Sequence, residues 1–100
     1  MTDADNVLFV VLDTVRKDHL TPYGYDRETT PTLESLAQKA TVYEQAVSPA
    51  PWTLPVHASM FTGRYPSEHA ATQEDPYLAD GIGTLAEAVR ASGRATACYS

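Results

Sequence analysis

The sequence predicts an α/β fold with a mainly parallel sheet and flanking helices. Three observations predict it. Asn6-Val7-Leu8-Phe9-Val10-Val11-Leu12 is a continuous β-branched and aromatic run without alternation, as expected of a strand covered on both faces. Later segments carry apolar residues at helical spacing between further apolar runs, giving the order strand, helix, strand, helix, helix, strand. The composition, 43% hydrophobic and 20% charged, is that of a folded chain rather than a disordered one.

The first predicted strand, 6–12, stops abruptly at Asp13. Residues 14–30 carry Pro22, Gly24, Asp26 and two adjacent threonines, and read as a long loop with room for one short helical turn. Thr30-Pro31 is a helix start, threonine as N-cap and proline at the first helical position; Leu33, Leu36, Ala37 and Ala40 then form one apolar stripe. Thr41 to Val47 is the second predicted strand, followed by the stiff connection Ser48-Pro49-Ala50-Pro51-Trp52. A short helix is expected from about Leu54 to Thr62, stopped by Gly63. Residues 64–80 read as surface loop. Thr84 opens another helix with Leu85, Ala88, Val89 and Ala91 inward and Gly93 as its stop. Arg94 to Ser100 is the third predicted strand; it leaves a sheet edge uncovered, so the domain is expected to be truncated.

Charge and cysteine content narrow the function classes. Thirteen acidic against seven basic residues give a net charge of -6, which argues against a nucleic-acid partner. The one cysteine, Cys98, sits in an apolar stretch and reads as a buried, reduced core thiol. The acidic start Met1-Thr2-Asp3-Ala4-Asp5 lacks the features of a secretory signal, and the run Val7 to Leu12 is too short to span a bilayer. A cytoplasmic protein without a membrane partner is the expectation.

Two positions stand out chemically. Asp13 follows the first predicted strand at its carboxyl end, where open α/β sheets bind ligands. It reads either as an oxygen ligand for a hard divalent cation or as a loop aspartate bonded to nearby backbone. Thr53 follows the proline-punctuated connection at the start of a helix. It reads either as a helix cap or as a hydroxyl nucleophile beside unpaired N–H groups that suit a phosphate or sulfate.

The stretch Trp52-Thr53-Leu54-Pro55-Val56-His57-Ala58-Ser59-Met60-Phe61-Thr62-Gly63-Arg64 resembles the sulfatase signature, with Pro55, Thr62, Gly63 and Arg64 in register. In that family a Cys or Ser is followed by x-Pro-Ser-Arg, four further residues and Thr-Gly-Arg. Val11-Leu12-Asp13-Thr14-Val15-Arg16-Lys17-Asp18-His19-Leu20 resembles the family's first metal-binding segment, and Tyr23-Gly24-Tyr25, Thr29 to Leu33 and Thr84 to Ala88 continue the likeness. The resemblance implies an alkaline-phosphatase-like α/β metalloenzyme, of which residues 1–100 are the incomplete N-terminal part of the catalytic domain. It implies Asp13 as a metal ligand, Ca²⁺ first with Zn²⁺ or Mn²⁺ as alternatives. Thr53 would stand at the nucleophile position, with Arg64 as the signature's closing arginine near it.

The departures are specific. Thr53 replaces the Cys or Ser that sulfatases convert to formylglycine, and threonine has no route to that aldehyde. His57 replaces the signature's first arginine, either as a donor to Thr53 or the substrate or as a packed helix residue. Thr14 stands where many sulfatases carry a second liganding aspartate. The expected function is hydrolysis of a small sulfuric or phosphoric ester. The alternatives are a threonine-nucleophile phosphodiesterase or phosphotransferase, a non-catalytic remnant, and a small-anion binding module.

Overall fold

In the computed structural model residues 6–100 are described; the acidic start at 1–5 lies outside them. The chain divides into two units, Met1–Ala46 and Val47–Ser100.

In the first unit, two 3-10 turns, Lys17–His19 and Thr21–Tyr23, precede α1, Pro31–Ala37. Pro31 opens α1 as expected, but Thr30 does not cap it with its side chain. Its hydroxyl is engaged elsewhere: Thr30 Oγ1 accepts from the Thr21 N–H at 3.1 Å, while Thr21 Oγ1 accepts from the Thr30 N–H at 3.2 Å. This reciprocal pair closes the loop and sets α1 against the second 3-10 turn. Of the predicted stripe, Leu33 and Ala37 are half-buried, whereas Leu36 and Ala40 are exposed.

In the second unit, α2 spans Thr53–Thr62, α3 Pro66–His69 and α4 Leu85–Ala91, with both α3 and α4 packed on α2. The helix at α2 begins one residue before its predicted start. Gly63 ends it in the left-handed conformation, φ 69°. Thr84 caps α4 as a capping box: its hydroxyl accepts from the Glu87 N–H and the Glu87 carboxylate accepts from the Thr84 N–H, each at 3.3 Å. Within the stretch read as loop, α3 forms with Pro66 at its first position and the Glu68 carboxylate accepting from the Tyr65 N–H at 2.9 Å. The buried residues described are Pro55, His69 and Ala71, all in this unit.

The mainly parallel sheet is overturned: no strand forms among the described residues. Residues 6–12, 41–47 and 94–100 carry no regular secondary structure, and Leu8, Val47 and Tyr99 are 88%, 88% and 93% exposed. A β-branched run favours extended backbone, but a strand exists only when a neighbour about 4.8 Å away completes the ladder. At 41–47, backbone acceptors are taken by side chains instead. The Tyr43 carbonyl accepts from the Tyr23 hydroxyl at 2.9 Å, and the Glu44 carbonyl from the Lys17 ammonium. Cys98, expected in a core, is exposed with the rest of 94–100.

Candidate functional site

Helix α2 is the element that carries most of the candidate residues. Its N-cap, Trp52, is extended at φ -150° and ψ 165°, and Thr53 is the first helical residue rather than the cap. The first turn of a helix leaves its backbone N–H groups without intrahelical partners. Pro55 has no N–H to leave unpaired, so a proline here costs the helix nothing while it is buried in the unit. No acidic side chain stands in this turn, so no carboxylate of its own offsets the positive end of the helix dipole.

His57 lies four residues after Thr53, one turn along the same helix face. It is half-buried, its ring edge-on to Phe61 with centroids 6.2 Å apart at 64°. Thr62, Gly63 and Arg64 form the other end of α2. Thr62 Oγ1 donates to the Ala58 carbonyl at 2.6 Å and accepts from the Arg64 N–H at 3.2 Å; the Gly63 N–H donates to the Ser59 carbonyl at 2.8 Å. Ten helical residues rise about 15 Å. Thr53 and His57 therefore share the N-terminal half of α2, and the exposed Arg64 lies beyond its last turn.

Asp13 belongs to the first unit. It is exposed, and Thr14 after it adopts a positive φ of 60°, a conformation rare for a β-branched residue. The charges that follow are tied to one another. The Arg16 guanidinium donates to both Asp18 carboxylate oxygens at 3.0 and 2.6 Å, and His19 Nδ1 lies 2.9 Å from Asp18 Oδ1. These bonds, Arg16 first and His19 second, hold the Asp18 carboxyl below its ordinary pKa. The described residues contain no group of three or more His, Cys, Asp or Glu side chains able to hold a metal. Calcium takes about six to eight oxygen ligands, so these residues do not by themselves fit a resident cation.

One side chain escaped the sequence reading. His69, fully buried at 0% exposure, joins α3 to α2. Its Nε2 lies 3.1 Å from the Pro55 carbonyl and 3.0 Å from Ser59 Oγ, and its Nδ1 accepts from the Ala71 N–H at 3.1 Å. Pro66 at a helix start with Glu68 two residues on was the available signal for the helix that delivers it.

The sulfatase family model matches residues 5–100. The chain belongs to the sulfatase family. An ulvan-active sulfatase of Formosa agariphila is 34% identical to this sulfatase-family chain over 94 residues, covering 94% of it and 18% of the relative. A putative transferase, YhbX of Escherichia coli K12, is 38% identical over 52 residues, covering 52% of the chain and 10% of the relative. The chain thus spans less than a fifth of the length of either relative. No solved structure matches it. Among the described residues of this sulfatase-family chain, no helix is long and apolar enough to cross a membrane.

Proposed function

We propose that the chain is the nucleophile-bearing part of the catalytic domain of a metal-dependent hydrolase acting on small sulfuric or phosphoric esters. The observation that carries this reading is the position of Thr53 at the start of α2, in a first turn with no acidic residue. Such a helix end favours an anionic ester group, and the family acts on sulfate esters. In this reading Thr53 Oγ attacks sulfur or phosphorus, the bond to the alcohol oxygen breaks, and the alcohol departs with the threonine proton. Water then hydrolyses the threonine ester and restores the hydroxyl. His57, one turn away, is the proposed hydrogen-bond partner of Thr53 or the substrate, and Arg64 the proposed anion partner. Asp13 is the proposed single contribution to a divalent cation site, Ca²⁺ first and Zn²⁺ or Mn²⁺ as alternatives, completed by ligands outside these residues. A cytoplasmic location is part of the same proposal.

The test is turnover of aryl sulfate and aryl phosphate esters by the full-length protein, with and without chelator. Thr53→Ala is expected to lower kcat by about four to six orders of magnitude, on the order of the loss for removing a covalent nucleophile. Unchanged turnover in Thr53→Ala excludes this residue as nucleophile.

A second reading is favoured by Thr53 itself. Threonine cannot become formylglycine, and one relative carries the name putative transferase. The threonine ester then passes its phosphoryl group to an alcohol acceptor instead of water. Product analysis with an added alcohol decides: a phosphorylated alcohol at the expense of free phosphate identifies transfer. Absence of ester turnover and of transfer under all metals would leave the non-catalytic remnant.

A further inference from the structure

The imidazole of His69 is the one fully buried titratable side chain described, and the chemistry proposed above makes no use of it. Its hydrogen bonds determine which nitrogen carries the proton. The Ala71 N–H can only donate, so Nδ1, which receives it at 3.1 Å, acts as an acceptor. A ring that accepts at Nδ1 carries its proton on Nε2. That N–H faces the Pro55 carbonyl at 3.1 Å and Ser59 Oγ at 3.0 Å, both on α2. Pro55 and Ser59 are four residues apart, so the ring bridges successive turns of the helix from one side. A carbonyl oxygen has two lone pairs, which lets Pro55 serve the helix ladder and the imidazole together. Every polar atom of the ring is used, and among the described residues no buried side-chain nitrogen or oxygen lacks a partner.

The location gives this contact its consequence. Pro55 lies two residues after Thr53 in the first turn of α2, where the helix has fewest bonds of its own. A short helix, α3, ends on His69, and Ala70 beyond it turns with φ 57° to present the Ala71 N–H back to the ring. The ring is therefore held from behind by its own turn while it holds α2 in front.

We propose that His69 is a positioning residue, a buried imidazole protonated on Nε2 alone that fixes the first turn of α2 and with it the direction of the Thr53 hydroxyl. The proposal rests on the reading of Thr53 as nucleophile. It assigns His69 no contact with substrate.

Amide side chains separate the two halves of the contact. His69→Gln sets an N–H near the position of Nε2 and keeps the bond to α2. His69→Asn sets an oxygen near the position of Nδ1 and keeps only the bond to Ala71. With the full-length protein and the aryl ester it turns over, His69→Asn is expected to lower kcat by roughly tenfold to a hundredfold with KM little changed, the size of effect expected when a reacting group is misplaced by about 1 Å. His69→Gln is expected to recover most of that loss, and Ser59→Ala to show a smaller loss of the same kind. Long-range ¹H–¹⁵N spectra of histidine-labelled wild-type protein are expected to show His69 with its proton on Nε2. A ring protonated on Nδ1 overturns the proposal without reference to turnover. So does His69→Asn with wild-type kcat, or His69→Gln as impaired as His69→Asn in folded protein. Where His69→Asn does not fold, the spectra and Ser59→Ala decide. Undiminished turnover in Thr53→Ala instead overturns the nucleophile reading and the positioning role with it, while the tautomer is still read independently.

Discussion

Asp18 and His69 show how differently two titratable residues are used in one short chain. Asp18 is exposed and held by Arg16 and His19, which favour its ionised form and lower its pKa. A carboxyl with a folded pKa below its unfolded one adds stability that is present above the unfolded value, about 3.9. That stability is lost as pH falls through the folded value. The expected result is an Asp18 carboxyl titrating below ordinary aspartate in a ¹³C NMR titration, and rising toward it in Arg16→Ala. A normal pKa in the wild type, or no rise in the variant, refutes the assigned cause. Because the pair is exposed, screening keeps its effect on stability small, and the titration itself is the measurement to make. His69 is the opposite case, buried and with both ring nitrogens engaged by backbone or hydroxyl groups. Little at the level of single residues announced this. A histidine in a stretch punctuated by Pro66 and Pro76 looks like any polar loop residue, because its bonds are made to Pro55 and Ser59, 14 and 10 positions earlier.

Helices were legible in the sequence because their hydrogen bonds are local. Pro31, Thr84 with Glu87, and Gly63 each act within one turn of their own position, so α1, α2 and α4 could be placed from the residues at their ends. The short α3 carries a start signal in Pro66 and Glu68 but no apolar periodicity over its four residues, so its sequence presents the pattern of a loop. Asp13 and Thr53 are candidates by their place in a motif alone; neither the conformation of Thr14 nor the buried ring beneath α2 has a comparable local signal. Gly63 offers a direct check on the end of α2. A Cβ built there meets nothing within 4 Å, so any loss from Gly63→Ala is conformational rather than steric. With φ at 69°, that loss should be about 1 to 2 kcal/mol in chemical denaturation. Gly63→Asn should lose less, since asparagine tolerates the left-handed region. Equal stability of Gly63→Ala and wild type would show that α2 does not end in this conformation.

At the scale of the whole molecule, the apolar runs expected to form a sheet are the segments with the least structure. Val7, Leu8 and Val10 are 79%, 88% and 65% exposed, and the described backbone bonds beyond the helices are turns and caps. Hydrophobic composition alone did not decide their fate, because a strand's stability comes from pairing and cross-strand packing rather than from its own residues. The same composition seen in a helix is less demanding, since each turn satisfies the one before it. This difference predicts a hydrogen-exchange pattern for the chain. Amides of α2 that donate within the helix, beside the buried Pro55, His69 and Ala71, should be the best protected. Amides at 6–8, 10–12 and 95–100 should exchange at close to unprotected rates, whereas the Arg94 N–H donates to the Val89 carbonyl at 3.4 Å. Those of 41–47 should also exchange fast despite the two carbonyls there that accept side-chain bonds. Carbonyl acceptance leaves the N–H of the same residue open to water, so these bonds constrain the segment without slowing its exchange. Strong protection of alternate amides in 6–12 would mean that this run forms a strand ladder, and would contradict the absence of a strand among the described residues. Protection confined to α2 and its neighbours would instead locate the cooperative unit of the chain in the element that carries Thr53.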